Sequence, residues 1–331
     1  MRGDLETVSA EDLLERPLTG TNWLVEGLIA TGLVVLAGTP KVGKSWFSML
    51  LALCVSQGKP FLDHATEQAD VLYLCLEDTF PRIQQRLFHL TDAANEKLHF
   101  AVAAKKLNGG LISQLEGFAD AHPGTRLVIV DTLQTVRGGG SDNAYAADYD
   151  DLGRLKRFAD ERNITMLVIH HTRKMPDQAN VFNTISGSNG IMGTADETMI
   201  LAKAGFFDAD AVLSVTGRDV ELSEFRLAFR DCRWELVEQT SRAELEEREV
   251  PPDVLTVLDF MATRPGSWEG TATQLAAEAG ISDAPANVLA KHMNEHASFM
   301  RERGVAYDFR RTSSARLITL SKVESSQPPL F

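Results

Sequence analysis

Residues 33–45 read Leu33-Val34-Val35-Leu36-Ala37-Gly38-Thr39-Pro40-Lys41-Val42-Gly43-Lys44-Ser45, and this stretch sets the reading of the whole chain. Leu33 to Ala37 is a continuous apolar run, the pattern of a strand buried on both faces. Gly38 to Ser45 spells G-x-x-x-x-G-K-[ST], and an apolar helical pattern follows from Trp46 through Val55. Strand, glycine-bounded loop and helix in that order make a phosphate cradle. Gly38 and Gly43 let the backbone turn so that N–H groups converge on phosphate oxygens, and the helix adds its positive end. Thr39, Pro40, Lys41 and Val42 supply the backbone between them, and Trp46, next along the helix, is expected to take part in nucleotide binding. Lys44 is expected to reach the β- and γ-phosphates, and the Ser45 hydroxyl to ligate Mg²⁺. The expected ligands are therefore ATP and Mg²⁺.

Composition sets the outer limits. The chain has 331 residues, 44% hydrophobic and 24% charged, which suits a soluble globular protein with one large domain and a smaller one. No apolar stretch approaches a membrane span, and the N-terminal Met1-Arg2-Gly3-Asp4-Leu5-Glu6 is too polar for a signal peptide, so a cytoplasmic location is expected. Cys54, Cys75 and Cys232 lack metal-ligand spacing; Cys54 and Cys75 fall in apolar elements and read as buried thiols in a reducing compartment. A net charge of −13 argues against a protein that coats DNA over its whole surface, though not against a local basic channel.

Outward from the loop, apolar strands alternate with amphipathic helices. Ser9 to Asp12 opens a short helix. Strands are expected at 71–76, 100–103, 127–130 and 165–169, with helices at 79–91, 111–121 and 145–162. This is an α/β domain with a mainly parallel sheet covered on both faces. Four more strands at 198–202, 212–216, 225–229 and 234–237 read as antiparallel additions to one edge. After a charged stretch and Pro251-Pro252, helices at 253–263, 271–279 and 285–299 and a hairpin of 305–309 with 317–320 suggest a winged helix-turn-helix. The expected organisation is an N-terminal segment 1–30, an ATPase domain 31–240, a linker 241–252, a winged-helix domain 253–322 and a disordered tail 323–331.

Polar residues collect at the C-terminal ends of the apolar strands, where open α/β sheets bind ligands. Asp131 ends the strand at 127–130 and is expected to hold the Mg²⁺ hydration shell beside Ser45. Glu77 ends another strand, where a carboxylate can orient the attacking water; Asp78 is its competitor, and a solvated turn acid is the plain alternative. His170 and His171 close a third strand. Alternation lets one of them face the nucleotide, and His171 is favoured, with a structural role for His170. Arg218, in Gly217-Arg218-Asp219, is either a solvated turn residue or an arginine reaching a neighbouring subunit's ATP. Arg86 is either a helix-surface charge or a phosphate contact.

The segments 137–144 and 175–195 are rich in Gly, Ser and Asn, with Arg137, Arg173 and Lys174 at their bases. They suit contact with a phosphodiester backbone, or serve as plain connections. Lys291, Arg301, Arg303, Arg310, Arg311, Arg316 and Lys322 make the end of the C-terminal module basic, fit for phosphate contacts or for docking on an acidic surface.

With these residues in place the chain resembles the RecA-like ATPases and, within them, the RepA-type hexameric replicative helicases of plasmids and mobile elements. The resemblance spans about 15–240 and rests on Gly38 to Ser45, Leu74 to Asp78, Val128 to Thr132, Val168 to Lys174 and Gly217 to Asp219. It implies a RecA-like core and a homo-oligomeric hexameric ring. It makes Lys44 and Glu77 catalytic, His171 the sensor and Arg218 a finger acting in trans. It also implies that the two Gly-rich segments line a channel for single-stranded DNA, with a replication initiator or primase as partner. The region from Trp268 to Ile318 is similar to winged-helix tails on phage and integrative-element replication proteins. The leading expectation is thus a Mg-ATP-dependent DNA helicase or translocase of a mobile element. A regulatory or loader ATPase that switches assembly without unwinding is the alternative, and a nucleotide-gated DNA-binding regulator a third reading.

Overall fold

A computed structural model of the chain describes residues 7–17, 20–93, 95–138, 144–172, 181–184, 189–203, 205, 208–282, 284–311 and 316–323. The chain divides into two compact units, Met1–Arg242 and Ala243–Phe331.

The first unit runs α1 (Ala10–Glu15), β1 (Trp23–Val25), β2 (Ile29–Ala30), β3 (Gly32–Gly38), α2 (Lys44–Gln57), β4 (Asp70–Cys75), α3 (Phe80–Leu90), β5 (Leu98–Ala101), α4 (Leu111–Ala121) and β6 (Thr125–Asp131). It continues with α5 (Leu133–Val136), α6 (Ala144–Arg162), β7 (Thr165–His171), α7 (Asn189–Thr194), β8 (Glu197–Ala202), β9 (Asp210–Gly217), β10 (Ser223–Arg230) and β11 (Arg233–Ser241). Nine strands make one sheet in the order β11-β10-β9-β8-β3-β7-β6-β4-β5.

Strands β3 to β8 are mutually parallel, and β9, β10 and β11 are antiparallel. This corrects one expectation: the strand at 198–202 was grouped with the antiparallel additions, but β8 lies parallel to β3, with Val34 opposite Glu197. The segment 172–196 is long enough to cross over the sheet, whereas 203–209 is too short and returns β9 antiparallel.

Strand alternation sorts side chains into two cores. Val34, Leu36, Val71, Tyr73, Leu127, Ile129, Leu167 and Ile169 point to the face covered by α2. Leu33, Val35, Leu72, Leu74, Val128, Val130, Met166 and Val168 point to the face covered by α4 and α6. Burial on both faces explains why these strands are apolar without interruption. Each fully buried Leu, Val or Phe is worth about 1.5–3 kcal/mol relative to exposure, so the central strands hold the site rigidly. Cys54 and Cys75 are buried and Cys232 is half-buried, all as free thiols; burial pushes the Cys54 thiol up to about 11.

The stretch read as a linker contains helix α8 (Arg242–Glu249), which buries none of its residues. The second unit adds α9 (Pro252–Ala262), β12 (Trp268–Gly270), α10 (Ala272–Ala279), α11 (Ala286–Glu295), α12 (Ala297–Glu302), β13 (Val305–Arg311) and β14 (Arg316–Lys322). Its three strands pair antiparallel in the order β12-β14-β13. Val254, Val257, Met261, Trp268, Leu275, Leu289, Met293 and Leu320 form its core. Two details differ from the sequence reading. The helix expected over 285–299 breaks at His296, which caps the end of α11 and the start of α12. Strand β12 was missed because three residues are too few to display alternation. No helix among the described residues is long and apolar enough to cross a membrane. The tail at 324–331 lies outside the described residues.

Candidate functional site

Because β3, β7, β6 and β4 run parallel, their C-terminal ends share one edge of the sheet. A cleft of about 440 Å³ opens there, lined by Pro40, Lys41, Gly43, Lys44, Ser45, Trp46, Glu77, Arg86, Asp131, Thr132 and His171.

The loop takes its shape from close packing. A Cβ on Gly38 would lie 2.5 Å from the Leu201 carbonyl oxygen. Gly43 sits at φ +113, and a Cβ there would lie 2.7 Å from the Trp234 ring. Neither position accommodates another residue without movement. Gly43 caps α2 without a side chain, so the N–H groups of the first turn are left for an anion. Val42 turns its side chain into the core, so only its backbone belongs to the loop surface. Thr39 and Gly38 act through their carbonyls: Lys44 Nζ donates to Gly38 O at 2.7 Å and to Thr39 O at 3.0 Å. Burial pushes the Lys44 ammonium down to about 8, against the pull of Asp131 and Glu77.

Two hydroxyl–carboxylate pairs stand opposite the loop. Ser45 Oγ donates to Asp131 Oδ2 at 2.9 Å, and the Tyr73 hydroxyl donates to the same oxygen at 3.1 Å. Burial raises the Asp131 carboxyl above its ordinary range, and the two hydroxyls pull it part of the way back. Thr132 Oγ1 donates to Glu77 Oε1 at 2.8 Å. A hydroxyl and a carboxylate oxygen on adjoining elements fit Mg²⁺, which takes one or two hard protein oxygens and fills its shell with water and phosphate.

Asp78 is occupied elsewhere. It pairs with Arg86 at 2.6 Å and Arg82 at 3.2 Å, and accepts from Thr79 N at 2.9 Å, so it fastens the start of α3. Arg86 reaches the cleft wall from α3 while held by Asp78, its guanidinium 5.7 Å from the Trp46 ring centroid. His171 borders the cleft, level with Gly38 across the β3–β7 pairing, and its Nδ1 is buried without a hydrogen-bond partner. His170 is buried.

Arg218 does not share this cleft. Gly217 at the end of β9 pairs with Glu197, which pairs with Val34 near the start of β3. The four steps from Val34 to Gly38 alone span about 13 Å, so Arg218 stands at the opposite edge of the sheet. There it meets Asp196, Nη1 to Oδ1 at 3.1 Å. Arg173, Lys174 and most of the two Gly-rich segments lie outside the described residues. Of the basic residues near the C-terminus, Lys291, Arg303 and Arg310 pair with Glu295, Glu247 and Glu269.

Sequence reasoning missed three contributors. Thr132 follows Asp131 and carried no signal of its own. Tyr73 lay inside an apolar strand and read as core. Trp234 donates its indole N–H to the Gly43 carbonyl at 3.2 Å from 191 residues away, a contact that no local pattern announces.

A family model for the AAA domain matches residues 2–177, more than half of the chain. The chain belongs to the AAA-domain family. A model for the AICE RepA C-terminal domain matches residues 254–328 of this AAA-domain chain. Among solved structures, the ATPase domain of G40P superposes with a TM-score of 0.53 at 17% identity, covering 63% of this chain and 85% of that one. A DnaB-like replicative helicase, described with its interactions with primase, superposes with a TM-score of 0.52 at 16% identity. That match covers 62% of this chain and 57% of the helicase. At such identities the likeness establishes the fold, which for this AAA-domain protein is that of RecA-like helicase ATPase domains. No curated protein sequence matches it.

Proposed function

We propose that this AAA-domain protein is a ring-forming, Mg-ATP-dependent DNA helicase or translocase serving the replication of a plasmid, phage or integrative element. The observation that carries the reading is one cleft holding Lys44, the Ser45–Asp131 pair and the Thr132–Glu77 pair on a helicase-type ATPase fold. Lys44 and the loop N–H groups hold the phosphates. Ser45 and Asp131 hold Mg²⁺, which when bound neutralises phosphate charge. Glu77, oriented by Thr132, takes the proton of the attacking water. His171 senses the γ-phosphate, and its place on the cleft wall supports that role.

Arg218 serves a neighbouring subunit. Its place at the far edge of the sheet supports action in trans, since it cannot reach its own nucleotide. Assembly is further supported by large apolar side chains left in solvent: Leu14 on α1 is 88% exposed and Phe88 on α3 is 73% exposed. The winged-helix reading of the second unit rests on its order of helices and strands, α9-β12-α10-α11-α12-β13-β14. A hexamer, single-stranded DNA, and an initiator or primase partner complete the proposal.

The deciding experiment is unwinding of a forked duplex with ATP and Mg²⁺. Strand separation that requires Lys44 is the expected result. ATP hydrolysis that single-stranded DNA neither binds to nor stimulates would overturn it in favour of a regulatory or loader ATPase, the reading favoured by the net charge of −13. Mixing Arg218→Ala with Glu77→Gln subunits tests the finger, because action in trans restores part of the turnover that each variant lacks.

A further inference from the structure

Asp196 joins α7 to β8 and gathers more polar contacts than its place in a connection requires. Its N–H donates to Leu33 O at 2.9 Å, and its carbonyl accepts from Arg218 N at 2.8 Å. Its Oδ2 accepts from Leu33 N at 2.9 Å. Lys156 of α6 donates to Oδ1 at 2.6 Å and Oδ2 at 2.5 Å. Arg218 Nη1 lies 3.1 Å from Oδ1. The backbone is cleared for this carboxylate: Gly32 sits at φ +129, and a Cβ there would lie 2.6 Å from Asp196 Oδ2.

We propose that Asp196 is a positioning residue for Arg218, parking the guanidinium against its own subunit through a carboxylate shared with Lys156. This rests on the reading of Arg218 as a finger for a second copy of the chain. The asymmetry of the two cations carries the argument. Lys156 is close to both oxygens and its side chain is 22% exposed, whereas Arg218 makes one contact and its side chain is 61% exposed. Arg218 is therefore pinned by its backbone and loosely held by its tip. An exposed ion pair of this kind is weak, and a phosphate anion on a neighbouring copy outweighs it.

The adjacent acids do not substitute for Asp196. Burial pushes the Glu197 carboxyl well above its ordinary range, favouring the neutral form. Asp219 is engaged by the Thr21 hydroxyl at 3.1 Å. Lys156 sets the grip: the larger its share of the carboxylate, the more readily Arg218 leaves. Any movement of α6 relative to β8 thus changes how available the finger is.

Steady-state ATP hydrolysis by the full chain, assembled with Mg²⁺ and without DNA, tests this. Asp196→Asn keeps an acceptor for Leu33 N–H but removes the charge, and is expected to raise kcat up to about fivefold with KM little changed. Lys156→Met leaves the carboxylate to Arg218 and the Leu33 N–H and is expected to lower kcat by a similar factor. The double variant is expected to behave as Asp196→Asn, since Lys156 acts through that carboxylate. A merely structural role lowers kcat in both single variants and compounds in the double one, and that result overturns the proposal. If Asp196→Asn unfolds early in thermal melts, Lys156→Met carries the test, and a rise or no change in its kcat overturns the proposal. Arg218→Ala separates the two layers. Unchanged turnover there defeats the finger reading and this proposal with it, whereas lost turnover without the opposed effects of Asp196→Asn and Lys156→Met defeats this proposal alone.

Discussion

The Ser45 hydroxyl donates to Asp131 Oδ2 at 2.9 Å, joining the first turn of a helix to the end of a strand 86 residues away. Tyr73 donates to the same carboxylate oxygen from inside the core. The pair brings together the two oxygens that a divalent cation beside phosphate would use.

Asp131→Asn is accordingly expected to spare binding of nucleotide without metal and to abolish its tightening by Mg²⁺. Turnover is expected to fall at least about a hundredfold, because a bound metal would supply several kcal/mol of charge stabilisation. Titration calorimetry with and without Mg²⁺ checks the first effect, and steady-state hydrolysis the second.

Lys44 gives a pH signature. Its ammonium is lowered to about 8 in the nucleotide-free protein, mainly by burial. A polyphosphate favours the protonated form, so the bound-state value lies higher. Affinity is then full below about pH 8 and falls about tenfold per pH unit above it, until the bound-state value is reached. Binding at pH 8.5 is expected to take up protons, read as a dependence of binding enthalpy on buffer ionisation. Lys44→Met is expected to remove that dependence.

The two neighbouring acids are expected to separate cleanly. Glu77→Gln retains nucleotide and loses about 10²–10⁴-fold in kcat, the range for removing a general base. Thr132→Val, which deletes the hydroxyl held at 2.8 Å from Glu77, is expected to lose about tenfold in kcat with KM preserved. Asp78→Asn weakens the start of α3 and lowers Tm, leaving kcat within about twofold because it touches Arg82 and Arg86 rather than the reacting phosphate.

Glu197 contributes a stability signature of known sign. Its folded-state value is raised by burial, and Oε1 has no hydrogen-bond partner. The unfolded chain therefore releases this proton first as pH rises, and the native state loses stability from about pH 4.5 upward until the folded value is passed. Glu197→Gln is expected to raise Tm by an amount that grows from pH 4 to pH 8. A Tm difference that is flat with pH would contradict the buried, neutral carboxyl.

Much of the fold was readable because its signals are local. Strands β3, β4, β6 and β7 are buried on both faces, so each shows an unbroken apolar run, and β6 and β7 end in the polar Asp131 and His171. Gly38, Gly43, Lys44 and Ser45 follow from the geometry of one loop, Asp131 and His171 from standing at strand ends, and Glu77 from the turn just after one. The parallel placement of β8 was not readable. An apolar strand looks the same in either direction, and only the length of the crossover distinguishes the two.

The sequence by itself determined which residues stand on a phosphate-loop pattern and at the strand ends beside it, because a glycine-bounded turn, a helix start and a strand end are each set within a few residues by backbone sterics. Tertiary structure alone decided which of them work together. Sheet order brings Thr132 to Glu77, and the antiparallel extension brings Trp234 over Gly43. The same extension carries Arg218 to the edge away from its own nucleotide and against Asp196. These pairings depend on register and crossover between segments far apart in the chain, which are settled by how both faces of the sheet bury their side chains.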